Sequence, residues 1–200
     1  MRISKTQLKF LFDFVAGFYD YLELLSVARW TRSSAFESLN HLNINGKSIL
    51  DMGCGTGNWS KILYDQGGRV VGFDYSTKMI KYAQIRQNPE IFFYQDDVMN
   101  IDKIPSDSYQ LISAAFVLHG FSHQQRMWIL QQINRICREG VIVFDFYKKI
   151  PWIAELIEIF EGSHYTDFIR NFQHELRDIF PLTRVYNLNY GGGLYCGFKT

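Results

Sequence analysis

Apolar residues along the chain follow two alternating patterns: short continuous runs, and apolar positions three or four residues apart. The runs are rich in Val, Ile, Leu and Phe, which is typical of buried strands. The stretches at helical spacing between them predict amphipathic helices. Strands that alternate with helices indicate an α/β protein built on a parallel sheet. The predicted strands are 48–51, 69–74, 91–94, 109–116 and 141–145.

Local end signals place several helices. Ser122 and Gln125 have the spacing of a capping box, and so do Ser4 and Gln7 near the start of the chain. The helix that opens at Ser122 is expected to run to Cys137 and to be ended by Gly140. On both sides of the glycines at 191–193, alternating apolar residues predict an antiparallel hairpin. Further helices are predicted from Gly57 to about 66, over 76–86, from Pro151 to 162 and over 165–180, and the segment 104–107 is predicted as a loop.

Composition limits the function classes. The 200 residues suit one domain, and 21 Lys and Arg against 20 Asp and Glu leave a net charge of +1, which does not favour a nucleic-acid surface. Cys54, Cys137 and Cys196 are far apart and form no C-x-x-C pair, so neither a zinc site nor a disulfide framework is predicted. No apolar run approaches the roughly 20 residues of a membrane span, and no signal peptide is indicated. We therefore expect a cytoplasmic protein.

A glycine-rich turn follows the first predicted strand and carries the clearest chemistry. Asp51 stands at the strand end, and Gly53, Gly55 and Gly57 alternate after it. Glycine permits positive φ and close approach of a ligand to the backbone. The spacing D-x-G-x-G-x-G differs from the dinucleotide pattern G-x-G-x-x-G, and a carboxylate there would repel a pyrophosphate and attract a cation. S-adenosylmethionine carries an amino group and a sulfonium, and these positive groups would be attracted by that carboxylate. The alternative is a tight turn that binds no ligand.

This spacing resembles motif I of the class I S-adenosylmethionine-dependent methyltransferases. The resemblance implies a Rossmann-like, doubly wound sheet of seven strands, mostly parallel with an antiparallel C-terminal hairpin, and helices on both faces. The segment 14–20 also resembles the F-x-x-x-A-x-x-Y-D pattern of ubiquinone and menaquinone biosynthesis methyltransferases, in which Tyr19 would lie over the ligand. Tyr19 could instead only pack its helix onto the domain. Residues 1–46 are accordingly expected to form a helical lid, and 47–200 the cofactor-binding core of a single domain.

Asp74 ends the second predicted strand, about 20 residues after the glycine turn. An acid at this place can accept hydrogen bonds from both ribose hydroxyls, and it matches motif II of the family. The alternative role is a cap for the helix that follows. Tyr75 and Met79 are placed to pack on the ribose and adenine.

Two acids, Asp96 and Asp97, follow the third predicted strand after Gln95. The family's "G-D-A" segment implies that one of them accepts from the adenine amino group, and Asp97 with Val98 aligns best, although Asp96 stays open. The resemblance thus implies a set of cofactor residues from the turn and the strand ends. These are Asp51, Gly53, Cys54, Gly55, Gly57, Asp74, Tyr75, Met79, Asp97, Val98, Ala114 and Ala115, with Tyr19 from the lid.

The residues after the fourth strand suggest the reaction class. No N/D-P-P-Y/F motif of adenine- or glutamine-methylating enzymes occurs there, and V-L-H is common at this point in small-molecule methyltransferases. His119 is the nearest candidate for a catalytic base; it could deprotonate a hydroxyl or thiol, or it could simply pack at the strand end. His123, Tyr147 and His164 are further candidates.

The sequence therefore predicts methyl transfer from S-adenosylmethionine to a small-molecule acceptor, with no metal site. It does not fix the acceptor atom, which could be O, N, S or C, or the oligomeric state. Two other functions stay open. One is a non-catalytic S-adenosylmethionine-binding protein that acts through a partner, and the other is a dinucleotide-dependent oxidoreductase.

Overall fold

A computed structural model describes residues 37–148, 164–188 and 191–199. The strands of its sheet are β1 (Ser48–Met52), β2 (Arg69–Asp74), β3 (Phe92–Gln95), β4 (Tyr109–Ala115), β5 (Cys137–Phe146), β6 (Leu182–Asn187) and β7 (Gly192–Phe198). The helices within these ranges that carry the argument are α1 (Asn58–Asp65), α2 (Thr77–Arg86), α3 (His123–Ile136) and α4 (Tyr165–Ile179). Two 3-10 helices span Val98–Lys103 and Leu118–Gly120.

The seven strands form one sheet in the order β3-β2-β1-β4-β5-β7-β6. The first five are parallel, and β7 runs antiparallel between β5 and β6. The predicted fold is therefore confirmed: a doubly wound, Rossmann-like sheet with an antiparallel C-terminal hairpin. The strand order reverses between β1 and β4, and ligands of open α/β sheets bind outside the strand carboxyl ends at such a point.

Helices cover the sheet on both faces because the central strands β1, β4 and β5 bury consecutive side chains, which point in two directions. On one face α1 and α2 contribute buried residues such as Trp59 and Ile80 to a core that includes Ile49. On the other face α3 and α4 contribute residues such as Ile133 and Phe168. The carboxyl ends of β1 to β5 thus form one edge between two helical layers.

The end of α3 differs from the prediction. The helix stops at Ile136, and residues 137–140, expected to finish the helix, already belong to β5. Cys137 is fully buried and pairs with Tyr109 of β4, so strand pairing determines the conformation that the helical pattern had suggested otherwise. Gly140 is needed there because an added Cβ would lie 2.2 Å from the carbonyl oxygen of Gly197.

A buried ion network fastens α4 to α3. The guanidinium of Arg126 is fully buried and donates to both carboxylate oxygens of Glu175, at 2.7 and 2.6 Å. It also donates to Asp167, at 2.6 Å, and to the carbonyl oxygen of Phe121, at 2.6 Å. His123 lies 2.8 Å from Glu175 through Nδ1. The predicted capping box is present at the start of α3, where Ser122 accepts from the backbone of Gln125.

Several sequence predictions fall outside the described residues. They are the helix that opens at Ser4, the helix that opens at Pro151 and most of the predicted lid. The three cysteines are buried free thiols. Among the helices of the described ranges, none has the length and apolar character needed to cross a lipid bilayer.

Candidate functional site

The glycine turn joins β1 to α1 and takes the conformation that the spacing predicted. Gly53, Gly55 and Gly57 have φ of 65°, 54° and 80°. A Cβ on Gly53 would lie 2.6 Å from Val117, and one on Gly57 2.8 Å from Phe93, so these two glycines are required by packing. A Cβ on Gly55 would meet no atom within 4 Å. Gly55 therefore presents bare backbone to open space, the surface that a ligand can approach closely.

Asp74, at the end of β2, contacts this turn directly. Its Oδ2 accepts a hydrogen bond from the backbone N–H of Gly55 at 2.9 Å, and its Oδ1 accepts from that of Ser76 at 2.8 Å. The side chain of Ser76, not of Asp74, caps α2 by accepting from the Met79 N–H at 3.2 Å. In dinucleotide-binding turns, the glycine amides and the helix N-terminus bind pyrophosphate. Here the carboxylate of Asp74 accepts a hydrogen bond from one of those amides, that of Gly55.

Asp51 lies behind the turn. It is fully buried and accepts from the hydroxyl of Ser60 in α1 at 2.5 Å. Ser113 of β4 is bonded to α1 in a similar way, since Trp59 Nε1 donates to its Oγ at 2.8 Å. Ala114 is also fully buried. In this conformation Asp51 and Ala114 shape the turn from inside the protein, and a direct contact of either with a cofactor stays a prediction.

The carboxylates of Asp51 and Asp74 contribute negative charge near the turn. Burial is the main cause that raises the pKa of the Cys54 thiol well above its ordinary value, and the charges of Asp51 and Asp74 raise it further. The thiol of Cys54 therefore lies close enough to both carboxylates to interact with their charges. Such a field favours a cationic ligand and disfavours a phosphate.

The two acids after β3 are each held by local bonds. Asp97 caps the 3-10 helix that begins at Val98 by accepting from the Met99 N–H at 2.9 Å. Asp96 accepts from the side chain of Asn100 at 2.8 Å, and its own N–H donates to the carbonyl of Asp74 at 3.1 Å. Both acids are partly exposed beside Asp74, so the choice between them for an adenine amino group stays open.

The remaining predicted cofactor residues are distributed unevenly. Tyr75 and Ala115 are half-buried at the ends of β2 and β4, whereas Met79 and Val98 are 4% and 7% exposed and pack mainly into the protein. Tyr19 lies outside the described residues. The structure thus brings the turn, Asp74 and the two acids after β3 to one edge of the sheet.

His119 lies at the same edge, beyond the end of β4, and is paired with a carboxylate that the sequence analysis had not assigned to the site. Its Nδ1 is 2.7 Å from Oδ1 of Asp145, which lies one residue before the end of β5 and is fully buried. Phe116, the first residue after β4, has φ of 53°, a left-handed conformation that is unusual for a bulky residue, and its N–H donates to the carbonyl of Phe144 in β5 at 2.8 Å. An acid at a strand end was the signal that could have revealed Asp145.

The other candidate bases lie in different surroundings. His123 belongs to the Arg126 and Glu175 network between α3 and α4. Tyr147 packs against Tyr195, with ring centroids 6.2 Å apart. His164 is the residue that precedes α4, and its side chain makes no capping hydrogen bond.

A cavity of about 730 Å³ lies away from these residues. It is lined by residues before β1, at the starts of β4 and β6, and at the end of β7, so it opens near the amino ends of the parallel strands. Its lining includes Lys47, Leu111, Leu182 and Phe198. It is distinct from the edge that holds the glycine turn and His119.

Comparison with known proteins shows which families this architecture resembles. A family model described as a methyltransferase domain matches residues 49–140, the stretch from β1 into β5. A malonyl-[acyl-carrier protein] O-methyltransferase of Legionella pneumophila is 38% identical over 174 residues, which cover 80% of this chain and 57% of that protein. A demethylmenaquinone methyltransferase of Oceanobacillus iheyensis is 24% identical over 94% of this chain and 93% of that protein.

The fold also resembles solved structures of methyltransferases. Magnesium protoporphyrin IX methyltransferase from Synechocystis PCC 6803, crystallised with bound S-adenosylhomocysteine, superposes with a TM-score of 0.66 at 18% identity, over 98% of this chain and 100% of the other. Of its curated relatives, the chain spans 66% of a Lactococcus lactis demethylmenaquinone methyltransferase but only 48% of a Paenibacillus malonyl-[acyl-carrier protein] O-methyltransferase. Several of these relatives are thus considerably longer than the matched region.

Proposed function

Since the chain belongs to the class I S-adenosylmethionine-dependent methyltransferases, we propose that it transfers the methyl group of S-adenosylmethionine to a small-molecule acceptor. Its curated relatives are named for different acceptors, demethylmenaquinone and malonyl-[acyl-carrier protein], so membership of the family leaves the acceptor open. The identity of the acceptor therefore depends on the residues beside the cofactor.

The observation that carries the proposal is the bond between the Gly55 amide and the Asp74 carboxylate, 2.9 Å long. It places a negative group on the turn amide that a pyrophosphate would need, which argues against a dinucleotide. The same carboxylate stands where it can accept from ribose hydroxyls. The bare backbone of Gly55 leaves room for the cofactor beside it.

In this proposal the protein holds the donor and aligns it with the acceptor. Asp74 would bind the ribose, Asp97 or Asp96 the adenine amino group, and the glycine turn the amino-acid part of the cofactor. The bound cofactor supplies an already activated methyl group, so the main task of the chain is to bring the acceptor atom in line with it at about 3–3.5 Å. Tyr19 and residues 1–46 would close the site as a lid.

The first experiment is isothermal titration of the protein with S-adenosylmethionine, S-adenosylhomocysteine and NADH. We expect binding of the first two and none of NADH. Asp74→Asn should weaken S-adenosylmethionine binding about 10- to 100-fold, because bonds to a charged acceptor contribute roughly 1.5–3 kcal/mol. Asp65→Asn, an exposed residue of α1 paired with Lys61, is the matched control and should bind normally.

A labelled-methyl assay then separates an enzyme from a binding protein. The protein is incubated with methyl-labelled S-adenosylmethionine and a pool of metabolites, with and without cell lysate. Label in small molecules supports the proposal. Tight NADH binding, or binding of S-adenosylmethionine with transfer only when lysate protein is added, would favour one of the two other functions.

A further inference from the structure

The side chain of Gln87, the residue that follows α2, reaches the glycine turn, which lies about 30 positions earlier in the chain. Its Nε2 donates to the carbonyl oxygen of Thr56 at 2.9 Å and to Oδ1 of Asn58 at 3.1 Å. A backbone carbonyl oxygen can only accept, so the amide nitrogen of Gln87, and not its oxygen, faces the turn. These two hydrogen bonds therefore join the end of α2 to the turn and to the first residue of α1.

Packing brings the same side chain against Gly57. Gly57 has φ of 80°, and a Cβ there would lie 2.8 Å from Cγ of Gln87 and 2.8 Å from the ring of Phe93. Gly57 stands at the N-cap position of α1, where many helices have a side chain that accepts a hydrogen bond, and here no side chain does so. Gln87 therefore supplies, from another element, polar contacts at a point where the glycine itself has no side chain.

The turn is contacted from both ends of α2, since Asp74 lies before this helix and Gln87 directly after it. Asp74 accepts from the N–H of Gly55 at 2.9 Å, whereas Gln87 donates to the carbonyl of the next residue, Thr56. Backbone groups of opposite polarity are thus bound by side chains of opposite polarity. Rotation of the backbone at Gly55 or Thr56 would break one bond or the other, so the two contacts together hold this part of the turn in one orientation.

The contact with Gln87 leaves the open part of the turn open. A Cβ on Gly55 would meet no atom within 4 Å, whereas the space beside Gly57 is filled by Gln87 and Phe93. Thr56 is only 3% exposed, so the bond to its carbonyl is shielded from water. A group that orders a binding surface before the ligand arrives reduces the entropy that binding must overcome. Gln87 can therefore affect the affinity for a ligand that it does not touch.

We propose that Gln87 is a positioning residue, which holds the glycine turn in the conformation that binds the amino-acid part of S-adenosylmethionine. This rests on the proposed function, in which the turn binds that part and Asp74 binds the ribose. Without the two hydrogen bonds from Gln87, the turn would sample other conformations and the cofactor would have to order it on binding. The loss of affinity should fall on ligands that carry the amino-acid part and spare a ligand that lacks it.

The test compares Gln87→Met with Gln84→Met by isothermal titration. The probes are S-adenosylmethionine, S-adenosylhomocysteine and 5′-methylthioadenosine, which lacks the amino-acid part. Methionine keeps the length of the side chain and removes the donor. Gln84 is the matched control because it lies in α2 and its Nε2 also donates to a backbone carbonyl at 2.9 Å, that of Phe93 in β3 and not one of the turn.

In Gln87→Met we expect S-adenosylmethionine and S-adenosylhomocysteine to bind about 10-fold more weakly, the cost of ordering about one residue of backbone. The affinity for 5′-methylthioadenosine should stay within about twofold of the wild type, and Gln84→Met should bind all three ligands as the wild type does. Gln87→Glu is a second variant that keeps the shape of the side chain but places an acceptor against the Thr56 carbonyl. It should show the same selective loss.

The outcomes separate this inference from the proposed function. Unchanged affinities in the Gln87 variants, or a loss of equal size for all three ligands, would overturn the role of Gln87 while cofactor binding stands. If the wild type binds no S-adenosylmethionine, the proposed function itself fails. Amide hydrogen exchange measured by NMR needs no ligand: the N–H of Gly57 should exchange faster in Gln87→Met than in Gln84→Met, and equal rates would contradict the proposal.

Discussion

Replacement of Gly55 by alanine separates the two reasons for which a turn glycine is kept, backbone conformation and room for a ligand. Gly55 has φ of 54°, and its added Cβ would meet no atom within 4 Å. Gly46, in the turn before β1, matches it closely, with φ of 73° and equally open space. Each also donates one hydrogen bond through its N–H, to Asp74 and to the Gly67 carbonyl.

The two substitutions should cost similar stability. A left-handed conformation disfavours a residue with a Cβ by about 1–2 kcal/mol. For a chain of this size each kcal/mol lowers the melting temperature by about 2–4 °C, so both variants should melt about 2–8 °C below the wild type. Differential scanning fluorimetry without ligand measures this part.

The affinities should differ. In Gly55→Ala the new methyl group enters the space that we assign to the cofactor, so S-adenosylmethionine should bind at least about 10-fold more weakly, a loss of about 1.4 kcal/mol. Gly46→Ala should bind as the wild type does. Titration calorimetry well below the melting temperatures measures both. Equal, unchanged affinities in two equally destabilised variants would show that Gly55 does not face the cofactor.

Three further predictions concern stability and reactivity. Arg126→Met should lower the free energy of unfolding by about 3–5 kcal/mol, because the buried Glu175 carboxylate loses its guanidinium; urea denaturation measures this, and a loss below about 1 kcal/mol would contradict it. The hydrogen bond from Arg126 is the main cause that lowers the Asp167 pKa from 3.8, so this ion pair stabilises the fold above that value and is lost as the pH falls through the lowered pKa. The melting temperature of the wild type should therefore fall more steeply than that of Asp167→Asn below about pH 4, and parallel curves would refute this reading. Burial raises the pKa of the thiols of Cys137 and Cys196 to about 11 and 12, and that of Cys54 in the same direction, so none should react with Ellman's reagent at pH 8 until the protein unfolds.

The parallel part of the fold could be predicted because its signals are local. Apolar runs, the glycine turn and the capping box at Ser122 depend on residues close together in the chain, and each of these elements occurs at its predicted place. The hairpin followed from alternation around the glycines of 191–193. Boundaries failed where two signals competed, as at Cys137, which fits the helical pattern but pairs with Tyr109 in the sheet.

The site could be predicted only in part because several of its contacts join residues that are far apart in the sequence. Asp74 and the turn were found from their spacing, but the bond between Asp74 and Gly55 depends on how β2 lies beside β1. Asp145 is separated from His119 by 26 residues, and the whole of α3 lies between them. A single sequence does not indicate that these two strand ends meet. The Arg126–Glu175 pair was missed for the same reason, since its two residues are 49 positions apart and lie on different helices.

The strand order also divides the chain into two parts, an earlier one assigned to the methyl donor and a later one. Every group assigned to the donor lies between Asp51 and Ala115, apart from the lid tyrosine, and these groups sit on strands that neighbour one another. Asp145 and the rings of Phe146 and Phe168, which pack beside His119, come from later in the chain. We therefore expect mutations after β4 to change the choice of acceptor while the affinity for S-adenosylmethionine is kept. A chimaera that exchanged this later part for that of a relative should keep its affinity for S-adenosylmethionine and acquire a different acceptor.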